Sequence, residues 1–210
     1  MSEQHPLLDY FLNAADGRFP EADGGATVVP ALPDGLECSV AFTGHAVVAT
    51  ALPYREIEAH RPDGYGACLA PGFLCHLAGP QGWVGVTDVT LVARGTGGPP
   101  RLPERADADR HPRVRFARET RGAVRVHGDA RGLVTLAHGL AGRLELGIEA
   151  TRPGQGTGAA LLRDALTLIP AGHPIFAAIA PGNARSLRSF LTTGFTPIGS
   201  EALIRPARPR

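Results

Sequence analysis

The sequence contains no lysine, because all 21 of its basic residues are arginine. A lysine Schiff base and a lysine general base are therefore excluded from any mechanism. The 21 basic residues nearly balance 20 acidic ones, for a net charge of +1 with neutral histidines. Binding to a polyanion needs a basic surplus, so we expect no nucleic acid partner.

Cysteine is scarce, and long apolar runs are missing. Cys38, Cys68 and Cys75 are odd in number and lack CxxC spacing, which indicates reduced thiols within a cell. No run approaches the ~18 apolar residues of a membrane span, and the first ten residues lack the order of a signal peptide. We expect a cytoplasmic protein without membrane contacts, and no histidine–cysteine spacing predicts a metal site.

The first half of the chain has an irregular pattern. The length of the whole chain favours one domain, or one domain with an extension. Residues 1–35 are rich in Gly, Pro and Asp and predict an irregular arm with a short helix at 7–13. Beyond this arm, we predict strands within 37–50 and at 83–93, helices at 54–60 and 72–78, and a connector at 95–110.

The second half is more regular. Three short strands separated by turns favour antiparallel neighbours, and the helices and strands that follow them alternate. The elements are a helix at 111–121, strands at 124–127, 133–138 and 143–150, a helix after 154–158, a strand at 174–180, a helix at 183–195 and a strand at 197–204. This order predicts an α/β fold, a mixed α+β arrangement with a central twisted sheet and helices on both faces.

A glycine-rich turn, Gly154-Gln155-Gly156-Thr157-Gly158, lies between a predicted strand and a predicted helix. Glycine lets a ligand approach the backbone closely, and the free N–H groups of a helix start can bind phosphate. A P-loop needs a lysine, which the chain lacks. A dinucleotide fingerprint is formally matched by Gly154, Gly156 and Ala159, but the next strand lacks the acidic residue that it requires.

A third interpretation of this turn is a resemblance to a known family. The turn resembles the Q/R-x-x-G-x-G/A signature of the GNAT superfamily of acyl-CoA-dependent N-acyltransferases, with Gly156 and Gly158 at its two small positions and Pro153 at the Q/R position. A second pattern of that family, N-x-x-A/S-x-x-x-Y/F-x-x-x-G-F, is matched after the following strand by Asn183, Ser186, Phe190, Gly194 and Phe195. The resemblance covers residues 124–204 and not the first hundred residues.

The resemblance implies a GNAT-like fold in which residues 111–210 form the acetyl-CoA-binding core. Residues 1–110 would complete the sheet and shape the acceptor site. Family members open a gap between two central parallel strands, and this gap admits the pantetheine arm. The implied acetyl-CoA contacts are Ile148, Ala150, Arg152, Gly154, Gln155, Gly156, Thr157, Gly158, Asn183, Ser186 and Phe190.

Acyl transfer to an amine needs a base for the ammonium proton and an acid for the leaving thiolate. Glu145 and Glu149 are four residues apart on a predicted strand, so they share one face with Gly147 between them. The resemblance makes Glu145 the nearer match to a catalytic glutamate of some family members. Each of the two glutamates is a candidate for the base, and the alternative for each is a solvated strand residue without a catalytic role. Many relatives carry a tyrosine where Phe190 stands, and phenylalanine cannot donate a proton.

The sequence therefore predicts an N-acetyltransferase that acts on a primary amine, either of a small molecule or of a protein. The alternative is a non-catalytic acyl-CoA-binding sensor or partner-binding module. A nicotinamide-dependent oxidoreductase would require the dinucleotide interpretation of the turn. An exposed apolar last strand would also support a homodimer.

Overall fold

The computed structural model describes residues 4–152 and 156–208, apart from the side chain of Asp34. The protein chain forms two compact units. One consists of Met1–Thr90 with Ile198–Arg210, and the other of Leu91–Pro197. Each unit is described separately below. Among the described residues, no helix combines the length and the apolar character that crossing a bilayer requires. The division of roles at residue 110 remains a prediction.

Among the described residues, the first unit contains three α-helices, four whole strands and parts of two more. They are α1 (Pro6–Ala15), β1 (Ala26–Val29), β2 (Glu37–Phe42), β3 (His45–Ala49), α2 (Tyr54–Ala59), α3 (Pro71–Ala78), β4 (Trp83–Val84), the start of β5 (Asp88–Arg94) and most of β10 (Thr196–Arg205). Strands β1, β3, β2 and β10 lie side by side, and β4 pairs with β10. Strand β1 runs parallel to β3, while β2 is antiparallel to both of its neighbours.

The prediction for residues 1–35 is right in one part and wrong in another. The short helix expected at 7–13 is confirmed as α1, whereas strand β1 was not expected, and it is fixed by pairing with β3. His45 also links the two strands, because its Nδ1 lies 2.8 Å from Asp23 Oδ1 and its Nε2 lies 2.9 Å from Thr27 Oγ1. The strand partner is distant in sequence, so local composition could not reveal it.

Two other expectations for this unit need correction. The predicted strand at 83–93 is interrupted over residues 85–87, so β4 and β5 are separate strands. The last strand is not exposed, because β10 pairs with β2 and β4, and Ala202 and Ile204 are fully buried. The argument for a homodimer from an exposed last strand is therefore lost, and the homodimer itself stays a prediction.

The second unit follows the predicted order of elements. It contains the rest of β5, then α4 (Pro112–Thr120), β6 (Gly122–Asp129), β7 (Gly132–His138), β8 (Leu144–Ala150), α5 (Thr157–Ala165), β9 (Pro174–Ile179) and α6 (Ala184–Leu191). The strand order is β5-β9-β8-β7-β6. Strands β6, β7 and β8 are antiparallel, whereas β9 is parallel to β8.

Helices cover both faces of the sheet in the second unit. A Cβ on Gly147 of β8 would collide with Arg113 of α4, so α4 covers the face that carries Gly147. A Cβ on Gly158 of α5 would lie 3.7 Å from Ile148 Cδ1, so α5 covers the other face. The predicted α/β class, with a mixed sheet and helices on both of its faces, is confirmed.

Candidate functional site

The parallel strands β8 and β9 stop pairing towards their C-terminal ends, and the unpaired stretch between them is called the opening below. Among the described residues these strands share one pair, Glu145 with Phe176. Beyond that pair, β8 stays paired with β7 as far as Ala150, while β9 continues to Ile179 without pairing to β8. In an antiparallel ladder every second residue turns its N–H and C=O away from the partner strand. Strand β8 therefore presents backbone donors and acceptors to the opening.

The N-terminus of α5 follows β8 closely in sequence. Gly156 is the N-cap residue with φ of +73°, a left-handed conformation that glycine adopts without steric cost. No side chain of a described residue caps this helix, so N–H groups of its first turn are left for a ligand. The positive end of the helix dipole adds to their attraction for an anion.

Gly158 lies close to two neighbouring elements. A Cβ at this position would lie 3.2 Å from Ser189 Oγ of α6 and 3.7 Å from Ile148 Cδ1 of β8. Glycine therefore lets α5 lie close to both neighbours. A longer side chain here would push the start of α5 away from the strand that borders the opening.

The predicted acetyl-CoA contacts fall into three groups. Gly154 and Gln155, with Pro153, lie outside the described residues. The structure brings a second group to β8 and the start of α5: Ile148, Ala150, Gly156, Thr157 and Gly158, with exposed Arg152 just after the strand. The third group, on α6, has local roles that need no ligand.

Within α6, Asn183 is the N-cap, since its Oδ1 accepts a hydrogen bond from the N–H of Ser186 at 3.2 Å. Phe190 is buried and packs edge-on against Phe195, with ring centroids 4.8 Å apart. The motif residues Asn183, Ser186 and Phe190 thus form and pack the helix. Their roles as acetyl-CoA contacts stay predictions.

Glu145 is a buried carboxylate held by two arginines. Its Oε1 accepts hydrogen bonds from Arg143 Nε at 3.0 Å and from the N–H of Leu140 at 3.1 Å. Its Oε2 accepts one from Arg121 Nε at 2.6 Å. Burial raises the pKa of Glu145, but the charges of Arg143 and Arg121 outweigh that effect and hold its pKa below the ordinary value. Such a carboxylate is a weak proton acceptor.

Glu149 has a different environment on the same face. Its side chain is 52% exposed, and its Oε1 lies 3.8 Å from His111 Nε2. His111 uses its other ring nitrogen, Nδ1, to accept a hydrogen bond from the N–H of Arg113 and so caps α4. Solvent and small molecules can therefore reach Glu149, in contrast to Glu145.

Three arginines near these glutamates were not predicted as site residues. They are Arg113 on α4, Arg121 at its end and Arg143 just before β8. Arg143 is fully buried, and its guanidinium lies 5.5 Å from the centroid of the Phe176 ring. For Arg113 and Arg121 the sequence offered one signal: residues 101–125 contain eight arginines and only four acidic residues. A cluster of this kind is more often a solvated helix face than a binding site.

Other parts of the described chain offer less for chemistry. No group of three or more His, Cys, Asp or Glu in residues 4–152 and 156–208 is placed to hold a metal ion. A cavity of about 570 Å³ lies in the first unit and includes none of the predicted site residues. Its lining is Leu52, Glu56, Cys75, His76, Ala78, Gly79, Pro80, Gly82, Val84 and Arg208.

Comparison with known proteins gives little further information. No family model matches the chain, and no curated protein matches its sequence. One similar solved structure is that of a protein assigned as an acetyltransferase of the GNAT family, from Novosphingobium aromaticivorans DSM 12444. The two chains are 17% identical, the match covers 61% of this chain and 69% of that one, and the TM-score is 0.41. That degree of likeness does not assign this chain to a family.

Proposed function

We propose that this protein transfers an acetyl group from acetyl-CoA to a primary amine, as the sequence motifs suggest. The observation that carries the proposal is the opening between β8 and β9, which begins after the single pair of Glu145 and Phe176. The start of α5, which no described side chain caps, comes within seven residues of the end of β8 in the sequence.

The unpaired strand edge and the helix N-terminus suit two parts of acetyl-CoA, its pantetheine arm and its pyrophosphate. Pantetheine carries amides that can pair with the unpaired backbone edge of β8, as an added strand would. The pyrophosphate carries negative charge that N–H groups and the dipole at the start of α5 can stabilise. In this arrangement the thioester lies near the closed end of the opening, beside the face of β8 that carries both glutamates.

The reaction forms a C–N bond and breaks a C–S bond. The attacking amine must first lose a proton, and the leaving thiolate takes one up. We assign the first proton to Glu149, directly or through a water molecule, because its carboxylate is exposed and forms no ion pair with an arginine of the described residues. Glu145 would act as a positioning residue, because its bonds to Arg121 and Arg143 fix the strand where the opening begins.

A second candidate is an acyl-CoA-binding protein without transferase activity. It is favoured by Phe190, which is buried against Phe195 and offers no proton to a leaving thiolate. A thiol has an intrinsic pKa of about 8.5, so a thiolate can also leave without an acid. Binding of acetyl-CoA without turnover across a broad panel of amines would support this second function.

Exchanging Gly156 for aspartate or asparagine tests the binding site. Both residues tolerate the left-handed backbone and both cap helices, so the pair differs mainly in charge. We expect Gly156→Asp to bind acetyl-CoA at least about tenfold more weakly than Gly156→Asn, because like charges separated by a few ångströms repel by more than about 1.4 kcal/mol in a partly buried site. Calorimetric titration of both variants measures the difference.

The wild-type protein provides the reference for this test. Acetyl-CoA at 100 times its dissociation constant should stabilise the protein by about 2.7 kcal/mol, which a thermal shift detects. Equal affinities of the two variants would place the pyrophosphate elsewhere. No stabilisation by acetyl-CoA, or stabilisation by NAD instead, would refute the proposed function.

A further inference from the structure

Arg113 places its guanidinium over the middle of β8. It is the second residue of α4, and that helix covers the face of the sheet that carries Glu145, Gly147 and Glu149. A Cβ on Gly147 would collide with Nη2 of Arg113 and would lie 2.9 Å from Thr135 Oγ1. The missing side chain of Gly147 therefore makes the space in which the guanidinium lies.

The guanidinium is incompletely satisfied there. Its Nε is buried and has no hydrogen-bond partner among the described residues. Glu145 is already bound by Arg121 and Arg143, and exposed Glu149 acts on Arg113 through its charge, without a hydrogen bond to it among the described residues. An arginine can bury its stem for packing alone, but its N–H groups then normally reach water or an acceptor. A buried N–H without a partner destabilises the fold, and an acceptor that pairs with it removes this cost.

The charges around Arg113 favour an anion. Three guanidiniums, those of Arg113, Arg121 and Arg143, surround two carboxylates, those of Glu145 and Glu149, which leaves one positive charge in excess. Burial lowers the pKa of Arg113 and the charge of Arg121 lowers it further, while Glu149 and Glu145 act in the opposite direction. A bound anion would offset both the burial of the Arg113 charge and its repulsion by Arg121.

The position of Arg113 identifies which anion it can bind. Gly147 lies two residues beyond Glu145, about 7 Å along β8 from the point where the opening begins. The guanidinium is therefore close to the expected thioester and on the face covered by α4. The start of α5, which suits the pyrophosphate, packs against the opposite face through Gly158 and Ile148. An anion at Arg113 thus belongs to the acceptor side of the reaction.

We propose that Arg113 binds a carboxylate of the acceptor, so that the acceptors are amino acids or similar amines with a carboxylate near the amino group. This inference rests on the proposed acetyl transfer. Arginine donates two parallel hydrogen bonds to a carboxylate, which would fix the amine relative to Glu149. The 3′-phosphate of CoA is the other possible source of an anion, and the test separates the two.

The test compares common α-amino acids with their amides as acetyl acceptors. The members of each pair differ in the carboxylate that Arg113 would bind. We expect wild-type kcat/KM to be about tenfold or more higher for the best amino acid than for its amide, mainly through KM. In Arg113→Gln this preference should disappear, whereas in Arg115→Gln, a change of an exposed arginine on the same helix, it should remain.

Two binding measurements keep the inference testable without turnover. In the ¹⁵N-labelled protein, the Nε–H resonance of Arg113, assigned by its loss in Arg113→Gln, should shift with an amino acid such as L-leucine and not with L-leucinamide. The affinities for CoA and dephospho-CoA should be unchanged in Arg113→Gln.

Each contrary result has a distinct meaning. Equal use of amino acids and amides by the wild-type protein would overturn the inference and leave the acetyltransferase function intact. A loss of affinity for CoA but not for dephospho-CoA in Arg113→Gln would assign the arginine to the 3′-phosphate and would also overturn it. The absence of any Nε–H shift across the panel would do the same, whereas a failure to bind acetyl-CoA would refute the proposed function.

Discussion

Replacing Glu145 with glutamine is expected to lower the free energy of unfolding by about 3–5 kcal/mol, the usual cost of breaking a buried ion pair from one side. The side chain of Glu145 is 6% exposed, and those of Arg143 and Arg121 are 0% and 22% exposed. Glutamine keeps the size of the side chain but leaves the two guanidiniums without the charge that they share. Urea unfolding followed by circular dichroism measures the loss.

The expected loss depends on pH in a defined direction. The pKa of Glu145 is lower in the folded protein than in the unfolded chain. Its stabilisation is therefore present above the unfolded value of about 4.3 and is lost as the pH falls through the folded value. The stability of wild type and Glu145→Gln should converge in acid. Glu119→Gln, a change of an exposed glutamate on α4, is the control and should alter stability by no more than about 0.5 kcal/mol. A Glu145→Gln protein as stable as wild type would contradict the structural role.

Replacing Glu149 with glutamine is expected to lower kcat by about 10²–10⁴-fold, the usual contribution of a general base. Stability should change little, because the carboxylate is exposed and its distance to His111 Nε2 is 3.8 Å. Steady-state kinetics with a fixed amine acceptor, together with calorimetry of acetyl-CoA binding, separates loss of catalysis from loss of affinity. Affinity for acetyl-CoA should be unchanged.

The two glutamate variants distinguish the roles of their residues. We expect Glu149→Gln to lose turnover but keep full stability. We expect Glu145→Gln to lose stability. An active Glu149→Gln protein beside a stable but inactive Glu145→Gln protein would reverse the assignment and make Glu145 the base. Glu119→Gln serves again as the control and should retain wild-type kcat.

The order of elements in the second unit could be predicted because its signals are local. Short strand-like runs between turns indicated β7 and β8, Pro112 marked the first turn of α4, and Asn183 marked the start of α6. Period-two alternation also placed Glu145, Gly147 and Glu149 on one face, as observed. These features depend on residues within a few positions of one another.

Features of the first unit that depend on distant partners were missed. Strand β1 has four residues among Gly, Pro and Asp, and its pairing with β3 supplies the stability that its own sequence lacks. The short strand β4 likewise depends on β10, where Ile204 and Arg205 pair with Val84 and Trp83. Propensity alone could not identify either partner.

The sequence by itself determined the α/β order of the second unit, the start of α4 at Pro112, the cap of α6 and the shared face of the two glutamates. Only the tertiary structure decided that Glu145 is held by arginines, that Glu149 remains accessible and that Arg113 lies over Gly147 with a buried N–H unpaired. It also decided that β8 and β9 separate after one pair. The physical reason is that helix caps and strand alternation depend on residues that are neighbours in the sequence. Ion pairs and contacts between parallel strands join segments that are distant in the sequence and that only the folded structure brings together.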